Sequence, residues 1–158
     1  MDISDVENFQ TPEWVMELMV REIPKNSRLI LEPTPGAGYF VKFLEDSNFS
    51  VCFPKHDYFD MSHSVKYDCV VGNPPFTPMT KGYEILYSVM EHTDNIVMLM
   101  PWLTLINSQK RLDKIMEFGL KKIIHLPRNA FKGARVQTCV LVMSKSFCGD
   151  TIFNYIKE

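Results

Sequence analysis

Short apolar runs alternate with helix-patterned segments from Arg28 to Lys157, and this alternation constrains the fold more than any other feature. The runs RLILEP (28–33), FSVCF (49–53), YDCVVG (67–72), NIVMLMP (95–101) and KKIIHL (121–126) read as buried strands. VQTCVLVMSK (136–145) and TIFNYIK (151–157) read as two more. Four helices are expected among and before them. TPEWVMELMVREI has Thr11 as N-cap, Pro12 at its first helical position, and Val15, Leu18, Met19 and Ile23 at helical spacing, with Pro24 closing it. GYFVKFLEDS buries Phe40, Val41 and Leu44, and YEILYSVMEHT buries Ile85, Leu86, Val89 and Met90. SQKRLDKIMEFG starts at Ser108 and stops at Gly119. Strands separated by helices predict an α/β fold with a mostly parallel, doubly wound sheet. Only a short turn containing Cys148-Gly149-Asp150 separates the last two strands, so they are expected to pair antiparallel as a C-terminal hairpin.

A chain of 158 residues with 46% hydrophobic residues suits a single globular domain, taken as 1–158. No stretch approaches the roughly 20 apolar residues of a membrane span, and the acidic start MDISDVENFQ is unlike a leader peptide. The four cysteines, at 52, 69, 139 and 148, lack C-x-x-C spacing, so structural zinc is not expected. Three of them lie in apolar runs and read as small buried hydrophobes, which suits a reducing cytoplasm. Charge is divided unevenly. Residues 95–145 carry nine Lys and Arg against Asp113 and Glu117, whereas residues 1–80 carry twelve acids against six bases. A basic second half can face a polyanion, or be no more than a solvated surface.

In open sheets of this kind, ligands bind at the carboxyl ends of strands. The first such end is LEPTPGAG, where Gly36 and Gly38 permit a tight loop ahead of a helix. It lacks both the third glycine of a dinucleotide fingerprint and the Gly-Lys-Ser/Thr of a phosphate loop. Glu32 at its entrance suits a cofactor carrying positive charge, such as S-adenosylmethionine. After the second strand, Asp57 and Tyr58 can hold a purine by its amine and one face, or form a plain turn. After the third strand comes Asn73-Pro74-Pro75-Phe76. Two prolines end the strand. The Asn73 amide and the Pro74 carbonyl are two acceptors for one –NH2 group, and Phe76 is a stacking surface.

These segments together resemble the class I S-adenosylmethionine-dependent methyltransferases that modify the N6 amine of adenine in DNA. FQTPEWVMELM is similar to the family's N-terminal cofactor segment (9–24 here), LEPTPGAG to its glycine loop, HDYF to its Asp-aromatic clamp and NPPF to its catalytic motif. IIHLPRNAFKGARVQTCVLVMSK is similar to its closing segment. The resemblance runs from residue 9 to about 145. It implies a Rossmann-like fold and S-adenosyl-L-methionine as cofactor. Gln10, Thr11, Pro12, Glu32, Pro33, Thr34, Gly36 and Gly38 would hold the methionine part, and Asp57 and Tyr58 the cofactor's adenine. Asn73, Pro74, Pro75 and Phe76 would form the catalytic motif, with Asn73 also near the cofactor. Phe76 and Phe131 would sandwich a flipped base. Lys110, Arg111, Arg128, Lys132 and Arg135 would contact phosphates.

The sequence departs from that pattern in three ways. No acid directly follows the second strand to take ribose hydroxyls, and the stretch from the glycine loop to NPPF is short. No target-recognition domain is evident, so DNA is the expected partner together with a separate specificity subunit. Methyl transfer to a protein glutamine amide or an RNA base amine, and a non-catalytic methyltransferase-like subunit, are the competing readings.

Overall fold

The computed structural model describes residues 10–134 and 136–157. Among them, seven strands form one sheet: β1 (Leu29–Leu31), β2 (Ser50–Cys52), β3 (Cys69–Gly72), β4 (Asn95–Pro101), β5 (Leu120–His125), β6 (Thr138–Ser144) and β7 (Ile152–Tyr155). Their order across the sheet is β2-β1-β3-β4-β6-β5-β7. β2, β1, β3 and β4 are parallel neighbours. β6 inserts antiparallel between β4 and β5, and β7 lies parallel to β5.

The mostly parallel α/β sheet is as expected, but the expected hairpin is not. β6 and β7 run in opposite directions, yet β5 lies between them. β6 has six fully buried positions (TCVLVM), which requires a neighbour on each edge and cover on both faces. β7 is exposed at all four positions, as an edge strand can be.

Among the described residues, five helices cover the sheet: α1 (Glu13–Val20), α2 (Tyr39–Asp46), α3 (Met79–Val89), α4 (Leu103–Ile106) and α5 (Gln109–Phe118). Val15, Met16 and Met19 of α1 and Phe40 and Leu44 of α2 pack on one face, against Ile30, Val71, Leu99 and Val140. Ile85, Leu86 and Val89 of α3, Leu105 of α4 and Ile115 and Phe118 of α5 pack on the other, against Leu31, Val70, Met98 and Leu141. Helices on both faces make the sheet doubly wound. Between β2 and β3 only a 3-10 turn, Tyr58–Asp60, stands where a full helix would otherwise go.

Local signals account for most helix ends. The Ser108 hydroxyl accepts from Arg111 N at 3.2 Å, which caps α5, and Gly119 ends it at φ +130°. α1 differs from expectation. Pro12 rather than Thr11 occupies the N-cap, without a side-chain cap. The Thr11 hydroxyl instead accepts a hydrogen bond from Asn73 Nδ2 at 3.2 Å. α3 begins at Met79, four residues before the expected Tyr83, because the extended Pro78 already supplies its N-cap.

Candidate active site

The carboxyl ends of β1, β2 and β3 open into one cavity of about 960 Å³. Gln10, Thr11, Glu32, Pro33, Thr34, Gly36, Asp57, Tyr58, Asn73, Pro74, Pro75, Phe76 and Phe131 all line it. Segments more than a hundred residues apart in sequence therefore share one wall. Pro12 and Gly38 are not among the lining residues; they are the N-caps of α1 and α2.

A chain of hydrogen bonds ties the loops together. The Glu32 carboxylate oxygen Oε1 accepts from Thr34 N at 2.7 Å and from Thr34 Oγ1 at 3.4 Å. Thr34 Oγ1 also lies 3.1 Å from the Asn73 carbonyl oxygen, to which it donates. Asn73 Nδ2 then reaches Thr11. Glycine loop, β3 end and N-terminal segment are thereby fixed relative to one another. Glu32 is buried, and burial pushes its carboxyl up to about 8 despite the two bonds from Thr34.

Two glycines permit this packing by lacking a Cβ. At Gly72 a Cβ would stand 2.9 Å from Glu32 Oε1 and 3.1 Å from Pro33 Cδ. At Gly82, inside α3, it would stand 2.8 Å from the backbone oxygen of Pro75. The helix can therefore lie directly beneath the double proline.

Asp57 does not stand alone. Its Oδ1 accepts from Phe59 N at 3.0 Å, and Lys81 Nζ of α3 lies 2.6 Å from its Oδ2. The Lys81 hydrogen bond and the Phe59 N–H hold its carboxyl below the usual range. Tyr58 is buried, with its hydroxyl 2.9 Å from Ser88 Oγ. Its ring is thus a wall of the cavity, braced from behind by α3.

Phe131 is buried among the residues that pack on the α1 side of the sheet, and Phe76 rests against the same cluster. Of the basic residues singled out in the sequence, none of those described lines the cavity. Arg128 and Lys132 are exposed on either side of Phe131, and Lys110 is exposed on α5. The Arg111 guanidinium lies 3.6 Å from the centre of the Tyr83 ring and donates to the Leu103 and Thr104 carbonyls. Arg135 lies outside the described residues.

Lys55, His56 and Lys81, to which the sequence reading gives no site role, also line the cavity. The clearest available signal was Lys81, three residues into a helix that directly follows the double-proline loop. Among the described residues, no group of three or more His, Cys, Asp or Glu could hold a metal ion, and no helix is long and apolar enough to cross a membrane.

No family model and no curated protein matches the chain. Solved structures do. A Listeria monocytogenes protein assigned to the class I S-adenosylmethionine-dependent methyltransferases matches with a TM-score of 0.76 and 12% identity, over 100% of this chain and 68% of that one. A modification subunit assigned to a type I restriction enzyme of Vibrio vulnificus matches at 0.73 and 16%, over 95% and 47%. The methyltransferase subunit of a type I restriction-modification system from Streptococcus thermophilus matches at 0.72 and 18%, over 94% and 47%. The chain spans about half the length of these type I subunits. Its fold is that of the class I S-adenosylmethionine-dependent methyltransferases.

Proposed function

We propose that the chain transfers a methyl group from S-adenosylmethionine to the N6 amine of adenine in DNA, working with a separate specificity subunit. One observation carries this reading. The Asn73 backbone and side chain are each bonded to a different loop of the same cavity, through Thr34 and Thr11. A side chain that only ended a strand would need neither bond.

The residues present suit the cofactor. A volume of about 960 Å³ is large enough for an adenosyl group and a planar base together. Glu32, the buried carboxyl at its floor, gains from a cation nearby, because ionisation there is otherwise opposed by burial. When bound, the cofactor supplies an electrophilic methyl group on a sulfonium centre.

This chain's own residues would do the rest. Gln10, Thr11, Glu32, Pro33 and Thr34 would hold the methionine end. Asp57 would accept from the adenine amine of the cofactor, with Tyr58 as the wall behind it. With Nδ2 held by Thr11, Oδ1 is the accepting edge of the Asn73 amide. Oδ1 and the Pro74 carbonyl would take the two hydrogens of the target amine and aim its lone pair. Phe76 and Phe131 would flank the flipped ring. The rate gain is then one of orientation and electrostatics. After transfer the target nitrogen gives its extra proton to water, so no tuned general base is needed.

The comparison with type I modification subunits supports the choice of DNA and of a partner subunit. Incubation with radiolabelled cofactor and separate DNA, RNA and protein substrates tests it. Label in DNA alone is expected, and label in protein alone would overturn it.

A further inference from the structure

The segment between β2 and β3 carries Asp57 and Tyr58, yet its backbone is held by little. It contains one 3-10 turn, and none of residues 62–66 makes a backbone–backbone hydrogen bond among the described residues. Side chains fasten it to α3 instead. Lys81 Nζ meets Asp57 Oδ2 at 2.6 Å, and Ser88 Oγ lies 2.9 Å from the Tyr58 hydroxyl. Lys81 and Ser88 are two turns apart on one face of that helix. The third link lies in the turn that follows it. There the His92 ring stacks on His63, with centroids 4.1 Å apart and planes at 23°.

His63 sits at the centre of a ring cluster. The Tyr58 ring lies 5.2 Å from it, and the Tyr67 ring 5.9 Å from it, edge-on. His63 Nδ1 is 3.1 Å from the Tyr67 hydroxyl, which has no other partner among the described residues. Tyr67 and His92 are fixed relative to each other. Tyr67 N donates to the His92 carbonyl at 2.9 Å, and the Thr93 hydroxyl donates to the Tyr67 carbonyl at 2.9 Å. His63 closes against both. Tyr58, a wall of the cavity, is thus held at its hydroxyl by Ser88 and at its ring by His63.

Two imidazoles stack this closely only while at least one is neutral, because like charges at such a distance repel. Nothing nearby offsets a second charge. The titratable groups around the pair are Tyr58, Tyr67 and, beside Tyr67, Cys52, and none is a carboxylate. Asp60, Glu84 and Glu91 are exposed, and Lys66 and Asp94 pair with each other at 2.8 Å. No carboxylate among the described residues forms an ion pair with either ring. Burial, and then the charge of His92, hold His63 below the usual histidine value. Once protonated, its Nδ1 can no longer accept from Tyr67. The open segment therefore takes up a proton more readily than the closed one, and acid favours opening from about pH 6.5 downward.

We infer that His63 and His92 are positioning residues for the cofactor's adenine: their stack holds the segment bearing Asp57 and Tyr58 closed on α3, and protonation of the pair releases it. This rests on the reading of Asp57 and Tyr58 as the adenine side of the cavity, and adds an acid-sensitive control to it. The apparent affinity for an adenosine group falls in proportion as the closed fraction falls.

Calorimetric binding of 5′-methylthioadenosine to the full chain, at about pH 7.5 and about pH 5.5, tests the pair on either side of the usual histidine value. This probe has the adenosine part of the cofactor without its sulfonium charge, so the Glu32 carboxyl has no cation to gain from. H92F keeps a ring that stacks but cannot titrate, and H63F removes the other member. The thermal midpoint at each pH reports which variants are folded, and either folded variant suffices. The parent is expected to bind the probe roughly three- to tenfold more weakly at the lower pH, the range open to one proton bound at about 6.5. The folded variants are expected to lose that decline. A decline kept in them would assign it to His56, which lines the cavity, and overturn the role of the pair. Equal affinity of the parent at both pH values would also overturn it and leave the methyl-transfer reading standing. No binding of the probe by the parent at the higher pH would overturn both the pair's role and the adenine-binding role of Asp57 and Tyr58.

Discussion

Lys81 Nζ lies 2.6 Å from Asp57 Oδ2, joining the helix beneath the double-proline loop to the loop that follows β2. Asp57 faces the proposed cofactor and Lys81 belongs to the element that carries the target loop, so the ion pair spans the two halves of the cavity. Both groups are about 40% exposed, which limits the pair's contribution to stability. K81M is expected to leave stability almost unchanged, but to weaken cofactor binding several-fold in calorimetry by freeing Asp57 to rotate. K81R is expected to restore it. Unchanged cofactor affinity in K81M would remove Asp57 from the adenine-binding role.

Glu32 gives a pH dependence with a definite sign. Burial pushes its carboxyl in the folded protein up to about 8, well above the usual carboxylate range. The unfolded chain therefore ionises first, and the free protein loses stability as pH rises from about 5 to about 8. E32Q, which keeps an acceptor for Thr34, is expected to stabilise the free protein at pH 7 by roughly 2–4 kcal/mol. The same substitution is expected to weaken cofactor binding. Binding of the positively charged cofactor at pH 7 is expected to release up to about one proton, seen as a buffer-dependent enthalpy, and the release should fade above pH 8. Buffer-independent enthalpy at pH 7 would show that Glu32 does not face the cofactor's charge.

Gly82 offers a test that separates packing from helix propensity. Gly to Ala in a helix interior ordinarily stabilises by up to about 1 kcal/mol. Here the new methyl would meet the Pro75 carbonyl at 2.8 Å. G82A is expected to destabilise by roughly 1–3 kcal/mol and to depress methyl transfer more than cofactor binding. A stabilised, fully active G82A protein would mean that the loop moves freely over α3.

Asn73 is expected to act on the target far more than on the cofactor. N73A is expected to lower transfer by a hundredfold or more, the scale seen when one well-placed hydrogen-bonding group is removed from an active site. Its cofactor affinity is expected to change by no more than about fivefold. Equal loss of both would reassign the residue to cofactor binding.

Much of this architecture was legible in the sequence. Six of the seven strands lie within the runs that periodicity picks out, β5 starts one residue ahead of its run, and Phe40, Val41 and Leu44 are buried as their spacing requires. Thirteen of the proposed site residues line one cavity, because strand ends in a parallel sheet converge on one edge. The pairing of β7 was not legible, since a short connection says which way a strand turns but not which neighbour it joins. The unbroken apolar run of β6 carried the missing information, because a strand buried on both faces belongs in the sheet interior. Thr11 was misread for a related reason. Its hydroxyl suits a helix cap, and only the fold brings Asn73, 62 residues away, to compete for it. Lys81 and Gly82 were missed because each acts through a partner distant in sequence, the Asp57 carboxylate and the Pro75 carbonyl.

The most direct measurement is nucleoside analysis of genomic DNA from a host without adenine methylation of its own, expressing this chain with and without N73A. N6-methyladenine is expected with the parent chain, together with any specificity subunit it requires, and is expected to be absent with N73A. Cofactor-dependent methylation of protein or RNA, with none in DNA, would contradict the proposed function.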